Sequence, residues 1–356
     1  MLPHGFMIRA TGSRVGQSLD LETFADWIRL PMRGDPTRFM DGATMKKLVG
    51  IRSKSWDLDL FRDPETVAAV GRGVIEAAAW RASDIDLLVT VTCTPYGLRL
   101  DQDAFLFARA LGLRDEVAVV HFSSGCGGMA RVFEHLRGVS ARRVLVLTYS
   151  AVSPLMTLPD GSPNHLYRDN DVHPSGSVAW FSPALFSDGA AALALQRSDE
   201  RQGLCSYSRG GDCEDPLVRF DGGGAQRPPG HPECEAYSVF TMSGDAVARF
   251  YLGGMRANHR ALDEARPGWS EAVARIYTHQ ASPALVRGYL GSSGLPLDKV
   301  PVHVETMGNL VAPCTVVLLD DDLKAGRVRS GDEVCFSVVG AGPERGAAIL
   351  RVALPD

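Results

Sequence analysis

The chain of 356 residues is long enough for two packed domains or one duplicated domain, with the globular composition of 45% hydrophobic and 22% charged residues. Its net charge of −5 at pH 7 implies no broad attraction to nucleic acid or membrane. No apolar run approaches the roughly 18 residues that cross a bilayer, and the N-terminus lacks the apolar core of a signal peptide. We therefore expect a cytoplasmic protein without nucleic-acid or membrane partners.

The seven cysteines are scattered along the chain. Their odd number and irregular spacing do not resemble a disulfide framework. The nearest pair, Cys205 and Cys213, lacks the C-x-x-C spacing that is typical of zinc ligands. We expect reduced cysteines and no metal.

In chain order, the N-terminal half alternates helix and strand signals. An Asp-Pro-Glu segment at 63–65 is typical of a helix start, and apolar residues recur after it at helical spacing. The β-branched runs 86–93, 117–122 and 142–150 predict buried strands, and 129–136 predicts a helix with one apolar face. Strand, helix and strand in series predict a parallel or mixed sheet covered by helices.

Two long polar stretches, 151–183 and 202–236, interrupt this alternation. We expect them to cover a substrate or contact a second subunit rather than to be disordered. Tyr167 and Trp180 are suited to cover an acyl chain or an acceptor, although either could equally pack within a lid.

Helix and strand signals resume after these stretches. We therefore predict two comparable α/β halves, 1–196 and 197–356, with 151–183 as an insertion in the first half.

Cys126 lies where a predicted strand gives way to a helix, with glycines at 125, 127 and 128. The positive end of the helix dipole and the nearby backbone N–H groups favour a thiolate, so we predict a lowered pKa for this thiol. The glycines leave room for a substrate carbonyl beside backbone donors. On the local pattern alone, a nucleophile and a buried structural cysteine explain Cys126 equally well.

His279 and Asn309 occupy comparable strand-to-helix junctions in the second half. Either residue alone would more often be structural. Catalytic groups of α/β sheets gather at such junctions, however, and a thiolate nucleophile that forms thioesters needs proton-handling partners. The three residues together predict an active site.

These motifs resemble those of the thiolase superfamily, most closely its ketoacyl-synthase III (KAS III) branch. The nucleophile motif is matched by "SSGCGGMARVFEHL" at 123–136, the His-Gln-Ala motif by "YTHQAS" at 277–282, and the Gly-Asn motif by "MGNLVAP" at 307–313. The matches follow the expected order over nearly the whole chain.

The resemblance implies a five-layered αβαβα fold built from two related halves, usually a homodimer. It implies that Cys126 takes an acyl group from a thioester donor, and that His279 and Asn309 stabilise charge on a thioester oxygen. It also implies an acylation oxyanion hole formed by the backbone N–H groups of Cys126 and Ala341.

The chain departs from the family at three places, one of which is the long segment 151–183. Where KAS III enzymes hold the adenine of coenzyme A with a tryptophan and an arginine, this chain has Thr44 and Leu48, which favours a donor on an acyl carrier protein or a differently held coenzyme A. Val339 replaces a phenylalanine that faces the decarboxylation site, and "GAGPERG" at 340–346 makes the rim polar. A changed second substrate explains this difference, and drift in a loop is the alternative.

We therefore predict a KAS III-like acyltransferase of polyketide or antibiotic biosynthesis, with no cofactor beyond the acyl thioester. The acyl group on Cys126 would pass to a hydroxyl or amine of a small molecule, with His279 as general base and Asn309 orienting polar groups. The alternative is decarboxylative Claisen condensation with a malonyl carrier, which the retained Asn309 favours. A catalytically silent partner of another subunit is a third hypothesis, which the retained Cys, His and Asn disfavour.

Overall fold

The computed structural model describes residues 5–32, 35–97, 101–169, 181–198, 204–209, 217–340 and 342–355. The strands are β1 Gly5–Val15, β2 Gln17–Asp20, β3 Pro31–Met32, β4 Asp35–Phe39, β5 Ser53–Trp56, β6 Leu87–Thr92, β7 Ala118–Ser123, β8 Arg143–Ser150, β9 Gly189–Ser198, β10 Leu204–Arg209, β11 Val218–Arg219, β12 Thr241–Met242, β13 Arg275–Thr278, β14 Glu333–Gly340 and β15 Glu344–Val352. The α-helices are α1 Leu21–Ile28, α2 Gly42–Val49, α3 Leu58–Arg62, α4 Glu65–Ala77, α5 Gln102–Ala110, α6 Gly128–Leu136, α7 Val152–Met156, α8 His165–Asp169, α9 Phe181–Leu185, α10 Gly244–Ala265, α11 Trp269–Ala272, α12 Pro283–Ser293, α13 Val304–Met307 and α14 Cys314–Lys324. Short 3₁₀ turns lie at Ala82–Asp84 and Leu297–Lys299.

A mixed nine-stranded sheet runs through the molecule in the order β13-β14-β15-β1-β9-β8-β6-β7, and β10 also pairs with β15. The strands β7, β6 and β8 are parallel neighbours, which confirms the sheet predicted from the β-branched runs. The two ends of the sheet come from the two halves of the chain. They are joined where β1 pairs in parallel with β15 at Met7 and Ile8.

An inner apolar cluster separates the two parts of the sheet. The helices α6 and α14 lie in it and contact strands of both parts. Its buried members include Met129 and Val316 from the helices, and Val146 and Phe336 from strands on either side. These two helices therefore form a central layer.

Two further clusters cover the outer faces of the sheet. One packs α4 and α5 on β1, β6, β8 and β9, through residues such as Val74, Phe107 and Leu147. The other packs α10 and α12 on β13, β14 and β15, through Met255, Tyr289 and Ile349. Successive strand residues serve opposite clusters, as the pleat requires: Leu88 faces the outer cluster and Val89 the inner one. The predicted αβαβα arrangement is confirmed.

The expected division into halves at 196/197 falls in the last residues of β9 and stays a prediction. The expected insertion begins as packed structure, because α7 and α8 share a small apolar cluster with Val239 and Phe240.

Local sequence explains the helix starts near the site. Ser282 caps α12 by accepting the N–H of Leu285, and Pro283 occupies the first turn. The long helix α10 begins at Gly244, because Thr241 and Met242 before it pair with β11 as a short strand.

Candidate active site

Cys126, His279 and Asn309 line one cavity of about 300 Å³. Cys126 follows β7, and His279 follows β13. Asn309 does not follow a strand, as the sequence predicted, but lies between the helices α13 and α14, where its backbone N–H donates to the carbonyl of Leu185 at 3.0 Å. The structure thus brings together three residues that lie far apart in the sequence.

The loop that carries Cys126 packs tightly against the end of β14. A side chain at Gly340 would collide with the backbone of Gly127, and a side chain at Gly128 would collide with Val91. Glycine is needed at these positions because two backbone segments approach closely and α6 begins against β6. The packing fixes the Cys126 backbone relative to the cavity.

The predicted lowering of the Cys126 pKa is wrong. Burial raises the pKa of this thiol well above its ordinary value, and the neighbouring thiols of Cys93 and Cys314 add to the effect, while a hydrogen bond from the Asn309 side chain opposes it. Desolvation by an apolar wall outweighs the dipole of α6, because the thiolate has lost most of its water. Cys126 is therefore a neutral thiol at neutral pH.

His279 is held through its backbone. Its N–H donates to the carbonyl of Ser337 at 2.9 Å, and its carbonyl accepts the hydroxyl of Tyr251 at 2.7 Å. Burial, and then the nearby His303, lower the pKa of His279 to about 3. The imidazole is therefore neutral over the whole physiological range.

Asn309 is oriented by two hydrogen bonds. Its Oδ1 accepts the backbone N–H of Val311 at 2.8 Å, and its Nδ2 donates to the carbonyl of Ala281 at 3.2 Å. The Asn309 amide also lies near the Cys126 thiol, where it favours the thiolate and so lowers the pKa of this thiol. Val311 makes this possible by adopting φ 60°, a left-handed conformation that is an outlier for a β-branched residue.

The cavity is apolar along most of its length and opens to the surface at one end. Its apolar wall includes Leu185, Phe186, Leu217, Met242, Phe250 and Leu285. Lys47, Leu48 and Arg287 also line it and are exposed, so the opening lies between α2 and α12. His279 and Asn309 are 2% exposed, which places the polar groups at the closed end.

Comparison with known proteins shows which enzymes the chain is similar to. Residues 265–352 match the family model of the C-terminal part of 3-oxoacyl-[acyl-carrier-protein] synthase III. The β-ketoacyl-[acyl-carrier-protein] synthase III of Roseiflexus castenholzii is 27% identical over 290 residues, which are 80% of this chain and 81% of the relative. The chain is KAS III-like.

Solved structures show the same fold as this KAS III-like chain. The 3-oxoacyl-(acyl-carrier protein) synthase of Burkholderia xenovorans superposes with a TM-score of 0.76 at 20% identity, over 98% of this chain and 94% of that one. OleA of Xanthomonas campestris gives a TM-score of 0.75 at 14% identity, over 97% and 96% of the two chains.

Thr44 and Leu48 occupy the two positions at which the resemblance to KAS III enzymes implies an adenine clamp. Asp41 caps α2 by accepting the backbone N–H of Thr44, while Leu48 is 51% exposed at the opening. A guanidinium nevertheless reaches the opening from α12, because Arg287 lines it and pairs with Glu305. Sequence reasoning missed Arg287, and its only signal was its place one turn into the helix after the His-Gln-Ala motif.

Of the other predicted site residues that the structure describes, one lines the cavity and one does not. Val339 lines the cavity. Tyr167 does not: it is buried in the cluster of α7 and α8, where its hydroxyl accepts the N–H of Phe240. Its aromatic ring packs inside the predicted insertion 151–183, so the expectation that Tyr167 contacts a substrate is corrected. Trp180 and Ala341 lie outside the described residues.

The expected polar rim at 343–345 is also corrected. Glu344 is 1% exposed, and its carboxylate accepts hydrogen bonds from Ser124, Arg131 and Tyr207. It thus joins β15 to the loop before Cys126 instead of lining the cavity.

Two general findings concern the described part of the chain. No helix in it is both long and apolar enough to cross a bilayer. Nor do three or more of its His, Cys, Asp and Glu side chains gather as metal ligands would.

Proposed function

We propose that this chain forms an acyl-enzyme thioester on Cys126 and condenses the acyl group with a malonyl carrier, with loss of carbon dioxide. The observation that carries the proposal is the shared cavity of Cys126, His279 and Asn309, in which a half-buried thiol lies beside a carboxamide and a neutral imidazole.

The first half-reaction transfers an acyl group from a carrier thioester, on an acyl carrier protein or coenzyme A. The Cys126 sulfur forms a bond to the acyl carbon, the bond to the carrier sulfur breaks, and the Cys126 proton ends on the released carrier thiol. The backbone N–H of Cys126 is the proposed oxyanion donor, and we assign the second donor to Ala341. The apolar wall of the cavity suits an acyl chain with few polar groups.

The second half-reaction uses two neutral donors. Decarboxylation of the malonyl group leaves an enolate, whose oxygen accepts hydrogen bonds from His279 and Asn309. The enolate carbon attacks the Cys126 thioester, a carbon–carbon bond forms, and the released Cys126 thiolate regains a proton. Neutral donors stabilise this oxygen without the cost of burying a charged side chain.

Transfer of the acyl group to a hydroxyl or amine in natural-product biosynthesis, the function predicted first from the sequence, is the second candidate. Val339 favours it, because this side chain lines the cavity where a phenylalanine is expected and leaves more room for an acceptor. The pKa of His279, about 3, disfavours it, because such an imidazole is a weak base towards a hydroxyl or amine.

The protein is also proposed to act as a homodimer. The strand β7 lies at one end of the sheet and pairs only with β6 among the described residues. Its Val119, Val120 and Phe122 are half-buried, so the strand offers both free backbone groups and apolar area to a second copy.

Intact-protein mass spectrometry tests the acyl-enzyme. We expect a panel of acyl-carrier-protein and coenzyme A thioesters to yield one adduct of acyl mass on the wild type and none on Cys126→Ala. The matched control, Cys234→Ala, removes another half-buried thiol and should still form the adduct. Absence of any adduct with every donor would contradict the proposal.

Discharge of the adduct distinguishes the two candidates. Malonyl-carrier should release carbon dioxide and a β-ketoacyl product from the acylated protein. If hydroxyl or amine acceptors discharge the adduct and malonyl-carrier does not, the second candidate replaces the first.

A further inference from the structure

Cys314 lies directly behind His279, on the side away from the cavity. It is the first residue of α14 and is 1% exposed. Its Sγ is 3.6 Å from Nδ1 of His279, and it accepts the backbone N–H of Gln280 at 3.4 Å. Cys314 is not a lining residue of the cavity, so it acts only through its neighbours.

The positions of the hydrogens around Cys314 follow from these contacts. Burial raises the pKa of the Cys314 thiol to about 12, so the sulfur keeps its proton at neutral pH. The Gln280 N–H already occupies one sulfur lone pair. The S–H can be directed to Nδ1 of His279 at 3.6 Å or to the carbonyl of Thr278 at 4.0 Å, and the shorter contact is to Nδ1.

We propose that Cys314 is a positioning residue that holds His279 as the tautomer protonated on Nε2. The S–H donates to Nδ1, which therefore has no proton of its own, and the single proton of the neutral ring lies on Nε2. With Nδ1 against the sulfur, Nε2 is the nitrogen left to face the cavity. His279 then presents a hydrogen-bond donor to a substrate oxygen.

This inference rests on the proposed function and deepens it. An Nε2–H donor stabilises an enolate oxygen, whereas a general base needs a lone pair on the same nitrogen. The tautomer set by Cys314 therefore favours condensation over transfer to a hydroxyl or amine.

The first test is the tautomer itself, read by nitrogen NMR of wild-type protein labelled at histidine. The His279→Gln variant identifies the His279 signals by their loss. We expect an unprotonated Nδ1 and a protonated Nε2 in the wild type. A protonated Nδ1 in the wild type overturns the proposal.

Two variants then test whether Cys314 is the cause. Cys314→Ala removes the donor, so we expect both tautomers of His279, while Cys314→Ser keeps a donor and should restore the single tautomer. Loss of one such hydrogen bond corresponds to a fall of about tenfold in the condensation kcat of Cys314→Ala. Both variants remove the thiol beside Cys126, so acyl adduct formation should change alike in the two, and the difference in condensation kcat between them reports the hydrogen bond to His279.

The outcomes separate this inference from the proposed function. An unchanged tautomer in a folded Cys314→Ala variant contradicts the role of Cys314. A protein that never forms an acyl adduct contradicts the proposed function, while the wild-type NMR result, which needs no substrate, still decides the tautomer.

Discussion

At the scale of single residues, the site contains one residue whose backbone conformation is energetically unfavourable. Val311 adopts φ 60° so that its N–H reaches Oδ1 of Asn309, a strain of about 1–3 kcal/mol for a residue of this kind. Surrounding structure must stabilise this conformation, because an isolated chain would avoid it. Strain next to a proposed catalytic carboxamide is consistent with a site in which orientation matters more than local stability.

His303 provides a pH-dependent prediction at the same scale. Both of its ring nitrogens lack a hydrogen-bond partner among the described residues, and burial lowers its pKa to about 4. An unfolded histidine has a pKa of about 6.5, so below that pH the unfolded state binds more protons than the folded state. The free energy of unfolding should therefore fall between pH 6.5 and 4, by up to about 1.4 kcal/mol per pH unit from this residue.

Denaturant unfolding measured from pH 7 to pH 4 checks this expectation. His303→Asn should lose stability less steeply with acid than the wild type. The control Val302→Asn changes the exposed neighbour of His303, which carries no titratable group, and should keep the wild-type slope. If the free energy of unfolding falls equally steeply with pH in the wild type and in His303→Asn, the pKa of His303 is not lowered in the folded state.

At the scale of elements, Glu344 connects three parts of the site. Its carboxylate on β15 accepts from Arg131 of α6 at 2.8 Å and from Tyr207 of β10 at 3.2 Å, and it also binds Ser124 before the nucleophile. A buried carboxylate with these donors is stabilised only while all of them stay in place. We therefore regard Glu344 as the residue that fixes the Cys126 loop against β15.

The variant Glu344→Gln should lower the free energy of unfolding by about 1–3 kcal/mol, because the Arg131 guanidinium loses its partner beside buried hydroxyl groups. Acylation of Cys126 should slow as the loop loses its anchor. The matched control is Glu134→Gln on α6, the helix that carries Arg131. The ion pair of Glu134 with Arg137 is exposed, so this variant should change the free energy of unfolding by less than about 0.5 kcal/mol. Urea unfolding and the rate of adduct formation measure the two effects, and equal losses in both variants would contradict the anchoring role.

At the scale of the whole molecule, the sheet has two ends with different surroundings. The strand β13 forms one end, where Arg275 donates to the backbone carbonyl of Asp298. The strand β7 forms the other end, with half-buried apolar side chains. Among the described residues β7 has no second strand beside it, so we expect a second copy at this end.

Light scattering with size-exclusion chromatography tests the proposed dimer. The wild type should have twice the chain mass, and Val120→Lys on β7 should shift it towards the monomer, because a charge desolvated at the interface is unfavourable. The control Leu297→Lys changes a side chain that is 59% exposed, beside the β13 end, and should remain dimeric. A monomeric wild type would end this proposal.

The sequence by itself determined the architecture and the identities of the central residues. Runs such as 86–93 and 142–150 are β-branched and apolar, which few structures other than buried strands accommodate, and they became β6 and β8. The glycines around Cys126 and the motifs of His279 and Asn309 likewise pointed to one cavity, because side chains at the ends of neighbouring elements meet.

Only the tertiary structure decided how these residues are set. The direction of the Cys126 pKa shift depends on the apolar wall and neighbouring thiols, and the contact of Cys314 with His279 joins residues from separate elements. The Glu344 carboxylate on β15 is buried because it pairs with Arg131 of α6. The Tyr167 hydroxyl accepts the N–H of Phe240, which holds the ring away from the cavity. Desolvation and long-range partners arise only when distant segments pack together, so no local pattern records them.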